Sequence, residues 1–101
     1  MSYDIIWDVK AQITLEEEIN YILFKWNFNE VKKFSDLVEE NLSRLSINPE
    51  IGIYSKTLKV YCLVISKQTT LYYSFNSDIK IIELHFFFNN QKNPEELNKL
   101  L

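Results

Sequence analysis

Apolar and polar residues alternate first at period two and then at helical spacing. Tyr3, Ile5, Trp7 and Val9 fall on one side of an extended segment, which predicts an opening strand over residues 3–9. In Thr14-Leu15-Glu16-Glu17 a hydroxyl stands three residues before a carboxylate, the pattern of a capping box. Leu15, Ile19, Ile22, Leu23 and Trp26 then recur at helical spacing, predicting a first helix from about Leu15 to Trp26. Asn27 and Glu30 repeat the capping pattern. Val31, Phe34, Val38, Leu42 and Leu45 form the stripe of a second helix, which ends near Ser46 because Pro49 disfavours helical geometry at Asn48. The linker between the helices is so short that they must run antiparallel, with both stripes facing one sheet.

After a polar stretch around Gly52 and Ser55 the pattern turns to strands. Leu58 to Ile65, Thr70 to Phe75 and Ile79 to Phe88 are separated by the short turns Ser66-Lys67-Gln68 and Asn76-Ser77-Asp78, which predicts an antiparallel meander. From about Asn89 the chain is polar, and Asn93-Pro94-Glu95-Glu96-Leu97 suits one last helical turn. The expected architecture is α+β in the order β-α-α-β-β-β, with two N-terminal helices packed on a mainly antiparallel sheet. Residues 1–101 are expected to form a single domain.

Composition narrows the chemistry. Of 101 residues 47% are apolar, 15% aromatic and 25% charged, with one Gly and two Pro, which excludes a disordered or low-complexity chain. The single cysteine, Cys62, excludes an internal disulfide and fits a reducing cytoplasm; it reads as a small core residue rather than a nucleophile. No apolar run approaches the ~20 residues that span a bilayer. The opening Met1-Ser2-Tyr3-Asp4 has neither a basic nor an apolar region, so no secretory signal is expected. The net charge is −3, with −5 on residues 1–50 and +2 on residues 51–101. That balance argues against bulk or sequence-specific DNA binding and leaves room for a local basic patch in the second half.

Several segments together carry a resemblance. Ser2-Tyr3-Asp4-Ile5-Ile6-Trp7 with Leu15-Glu16-Glu17-Glu18-Ile19 resembles the opening strand and helix of the RelE/ParE superfamily of toxins from bacterial type II toxin–antitoxin systems. Asn48-Pro49-Glu50-Ile51-Gly52 resembles the loop that leads into its sheet. Val64 to Tyr73 is similar to its central hairpin, and Phe88-Asn89-Asn90-Gln91-Lys92-Asn93-Pro94 to its closing motif. The resemblance implies a cytoplasmic growth inhibitor of the kind associated with plasmid stabilisation, silenced by a cognate antitoxin protein and working without a cofactor or metal. It also implies one of two activities: poisoning DNA gyrase by binding, or ribosome-dependent cleavage of mRNA.

A metal-independent nuclease must activate the ribose hydroxyl, stabilise the phosphorane and protonate the leaving oxygen. Relatives use basic residues where this chain has Tyr61 and Cys62, and an arginine where it has Gln91. The only arginine, Arg44, lies on the second helix, and no Tyr, His or Arg follows Pro94. These departures favour a binding inhibitor; the alternatives are the nuclease and a decayed toxin that retains only antitoxin binding. For the nuclease the candidates are Lys59, Lys67, His85 and Lys92, since an imidazole titrates near neutral pH and lysines offer positive charge. For target binding they are Lys56, Lys59, Tyr61, Lys67, Tyr73, Gln91 and Lys92, a mixture of amines and rings that suits phosphate and base stacking. Phe86-Phe87-Phe88 and Leu63 lie in strands that are apolar on both faces, so the second face needs cover; the C-terminal tail is one candidate, and a strip covered by the antitoxin is the expectation preferred here. Glu16-Glu17-Glu18 reads as the favourable start of a helix, not as a metal site.

Overall fold

A computed structural model describes residues 2–100, so the first and last residues of the expected 1–101 domain lie outside it. Strand β1 (Asp4–Trp7) leads into helices α1 (Val9–Lys25) and α2 (Phe28–Ile47). After a 3-10 turn at Pro49–Ile51 follow β2 (Ile53–Ser55), β3 (Val60–Ser66), β4 (Thr69–Asn76), β5 (Ile81–Asn89) and a short helix α3 (Pro94–Leu100). The strands form one sheet in the order β1-β5-β4-β3-β2. Pairing is antiparallel throughout except between β1 and β5, which run parallel with Ile5 opposite Ile82 and Trp7 opposite Leu84. The α+β architecture expected from the sequence is therefore present, enlarged by β2 at one edge and by α3.

Three boundaries differ from the sequence reading. Helix α1 begins at Val9, six residues before Leu15, with Asp8 as its N-cap. Thr14 therefore lies inside the helix. Its hydroxyl donates to the Lys10 carbonyl at 2.6 Å and accepts the amide of Phe87 at 2.8 Å. A residue suited to capping an orphan amide does so, but the amide belongs to β5 beyond the end of β1. Strands β3 and β5 also start later than expected. Lys59 and Lys80 stand immediately before them with φ of 60° and 58°, a left-handed geometry that ends a turn and interrupts extended backbone. Helix α2 follows its sequence pattern: Asn27 accepts the amide of Glu30 at 3.0 Å, and Phe34, Val38 and Leu45 are buried.

Apolar residues on both faces of the sheet serve two cores. Under the helices, Leu63, Leu71, Tyr73, Ile82, Leu84 and Phe87 pack with Ile22, Phe34, Val38 and Leu45. On the opposite face, Tyr72, Phe86 and Phe88 pack with Val60, Cys62, Leu97 and Leu100. Burial of side chains this large is worth about 1.5–3 kcal/mol each, which is what holds α3 to the sheet. Tyr73 ties the first core to the helix exit. Its hydroxyl donates to the Pro49 carbonyl at 2.6 Å and accepts the Gly52 amide at 3.0 Å.

Candidate functional site

The face of the sheet opposite the helices carries one cluster of ionisable groups, and a bulge creates it. In the β4–β5 ladder Tyr72 pairs with Phe86 and Tyr73 with Leu84, so His85 is an extra residue without an opposite partner. Before the bulge, Ile82 and Leu84 face the helices; beyond it, Phe87 does. The shift of parity leaves His85 beside the parallel edge, where the chain turns from β1 into α1.

His85 has contacts at both ring nitrogens. Nδ1 lies 3.1 Å from Oδ2 of Asp8 and 3.9 Å from Oε2 of Glu83. Nε2 lies 2.8 Å from the Ser74 hydroxyl. Burial alone raises the Asp8 carboxyl, but hydrogen bonding with Glu83 and His85, helped by the charges of His85 and Lys10, outweighs it and holds Asp8 below the usual carboxylate range. Glu83 moves the other way. Its hydrogen bond with Asp8 pushes it up, burial and the Asp8 charge add to this, and His85 opposes it. A cleft of about 400 Å³ opens beside the cluster, lined by Asp8, Lys10, Val60, His85, Phe86 and Leu100. The Lys10 ammonium is used to hold α3, donating to the Leu100 carbonyl at 2.8 Å.

The lysines chosen from sequence do not gather around this imidazole. Lys59 precedes β3 and Lys67 follows it, so the seven residues of the strand hold them roughly 25 Å apart at ~3.3 Å per residue. Lys67 and Lys92 share one end of the sheet, because the Asn90 amide donates to the Gln68 carbonyl at 2.7 Å and brings their turns together. Exposed Gln91 lies with them. Lys56 and Lys59 are exposed at the opposite end, in the turn between β2 and β3. Tyr61 is half-buried on the helix side of the sheet, its ring 5.6 Å from Tyr73 and 5.0 Å from Phe75.

Two expectations are corrected by burial. Tyr73 is fully buried, and both of its hydroxyl bonds are internal, so it presents nothing to a target. Burial pushes its phenol up to about 12, with the Gly52 amide opposing. Leu63, Phe86, Phe87 and Phe88 form no open strip. Leu63 and Phe87 lie under the helices, and the chain's own α3 covers Phe86 and Phe88. Exposed apolar residues stand elsewhere, among them Phe24 and Phe28, which flank the helix–helix turn and are 93% and 68% exposed. Cys62 is partly buried against the α3 side, and burial raises its thiol, as befits a packing residue. Among the described residues no helix is long and apolar enough to cross a membrane.

Sequence reading found His85 but missed Asp8, Ser74 and Glu83. Asp8 is 77 residues away in the chain, and only the parallel β1–β5 pairing brings it close. Ser74 approaches through the antiparallel ladder. Glu83, two residues before His85 in a strand, was the one partner within local reach, since residues at that spacing share a face.

No protein-family model matches the chain. No curated protein sequence matches it either. Solved structures do. The toxin–antitoxin complex RelBE2 from Mycobacterium tuberculosis contains a chain that is 14% identical, with a TM-score of 0.61, over 88% of this chain and 99% of that one. A double arginine-to-alanine mutant of the E. coli toxin RelE in the free state is 14% identical, with a TM-score of 0.59, over 100% of both chains. The two helices on a mixed five-stranded sheet described above are thus the fold of the RelE toxins.

Proposed function

We propose that this chain is the toxin of a type II toxin–antitoxin pair, which inhibits growth in the cytoplasm by binding an essential target such as DNA gyrase and is silenced by a cognate antitoxin. Its RelE-like fold, matched along the whole length of a free toxin, supports the toxin reading. The dispersal of its positive charge supports binding over cleavage. Lys59 and Lys67 lie at opposite ends of β3, and the imidazole stands beside two carboxylates, which repel an approaching phosphate. The observation that carries this reading is the separation of Lys59 from Lys67 by the full length of β3, with neither beside His85.

A gyrase supercoiling assay with the purified chain tests it: supercoiling should fall with added protein and recover when the antitoxin is present. Full supercoiling at a large molar excess rejects gyrase as the target. Ribosome-dependent mRNA cleavage is the second reading, favoured by the fact that both solved neighbours are RelE toxins. Programmed ribosomes incubated with the chain should leave their mRNA intact, whereas cuts in the decoding site would establish the nuclease in place of the inhibitor.

A further inference from the structure

We propose that Asp8, Glu83 and His85 form a binding site for a single divalent transition-metal ion, with zinc the best fit. One ligand atom from each lies within 4.8 Å of the other two. With metal–ligand bonds of about 2.0–2.2 Å, neighbouring ligand atoms of a tetrahedral ion stand about 3.4 Å apart. The distances of 3.1 Å from His85 Nδ1 to Asp8 and 3.9 Å to Glu83 bracket that value, so a small rotation of the Glu83 side chain completes the site.

Charge points the same way. A proton on Nδ1 serves Asp8 at 3.1 Å but is too far from Glu83 at 3.9 Å for a hydrogen bond, so the imidazole reaches only one of the two carboxylates. A divalent ion at the meeting point balances both carboxylates. Ser74 supplies the outer support such a site needs. With Nε2–H donated to its hydroxyl at 2.8 Å, the Nδ1 lone pair is directed at the carboxylates. An imidazole with two carboxylates suits zinc, and magnesium, which prefers oxygen ligands, suits it less. Three protein ligands leave a fourth position for water, and two of them, Asp8 and His85, line the cleft of about 400 Å³.

Isothermal titration of the chelator-stripped chain with Zn²⁺ at pH 7.5 tests the site, together with NMR of the imidazole. His85 is the chain's only histidine, so its ring resonances need no assignment. One Zn²⁺ per chain should bind, with a shift of the His85 Nδ1 resonance and a rise in melting temperature; Mg²⁺ at the same concentrations should do neither. Glu83→Gln, Asp8→Asn and His85→Gln should each weaken binding at least about tenfold. Asp8 makes no side-chain capping bond, so Asp8→Asn leaves the start of α1 intact, and Glu83 is exposed, so at least two of the variants will fold. Cys62→Ser should bind as the parent does. Absence of stoichiometric binding, binding without an Nδ1 shift, equal binding of Mg²⁺, or binding lost in Cys62→Ser and retained in Glu83→Gln would each overturn the proposal.

Discussion

The phenol of Tyr73 and the backbone of Gly52 meet so closely that neither can be enlarged. The Gly52 amide donates to the hydroxyl at 3.0 Å, and a Cβ on Gly52 would stand 2.6 Å from that oxygen and 2.8 Å from the Cys62 carbonyl. Gly52→Ala must move a backbone carbonyl and a buried ring together. It is expected to cost about 1–3 kcal/mol, read as a lower urea midpoint with an unchanged slope. Tyr73→Phe strands the Pro49 carbonyl and the Gly52 amide, and should cost a similar ~1–3 kcal/mol.

Alkaline pH should act through the same residue. The folded state raises the Tyr73 phenol from its ordinary value near 10 to about 12 and so favours its protonated form. The corresponding stability is fully present below pH 10 and is lost as pH rises towards 12, a total of about 2–3 kcal/mol at ~1.4 kcal/mol per unit. Urea unfolding at a series of pH values should show this decline in the parent chain and a shallower one in Tyr73→Phe.

Thr14 offers a test of the helix–sheet junction. Thr14→Val keeps the shape but removes the acceptor of the Phe87 amide, leaving a buried N–H without a partner. A loss of about 1–3 kcal/mol is expected, whereas Thr14→Ser should stay near the parent. Hydrogen exchange at the Phe87 amide is the direct measurement, and it should accelerate in the Val variant alone.

Removal of residues 94–101 should uncover Phe86 and Phe88, which rest against Leu97 and Leu100. The shortened chain is expected to bind an apolar dye and to associate with itself, while its far-ultraviolet circular dichroism loses little beyond one short helix. Leu97→Asp should produce a weaker version of the same effect.

How much of this was legible in the sequence depended on whether the signal was local. The second helix was readable from both ends, because Asn27 and Glu30 form the expected cap bond and the stripe from Val31 to Leu45 faces a single core. The start of α1 was not, since Val9 continues the period-two pattern of β1 although it is exposed on the helix, and Thr14 uses its capping chemistry on a residue 73 positions away. Strand β2 has three residues, with Ile53 and Tyr54 exposed, too little to give a pattern. The double-sided strands pointed correctly to a second covered face, but two leucines in a polar tail were too weak a signal to favour cover by the chain itself over cover by a partner. The carboxylates around His85 come from the parallel pairing and the bulge, neither of which has a signature in a single sequence.

The parallel pairing of β1 with β5 also sets a schedule. Among the described residues β1 pairs with β5 alone, so Trp7 must wait for Leu84. At about 5–20 residues per second this delay is roughly 4–15 s, throughout which the hairpin helices can form but the sheet has an unfilled edge. Contacts this distant in the chain slow folding and keep apolar edges available for wrong associations. Nothing that depends on the finished sheet can begin before β5 has been synthesised, and a protein that recognises the unfinished edge would meet it before the sheet is whole.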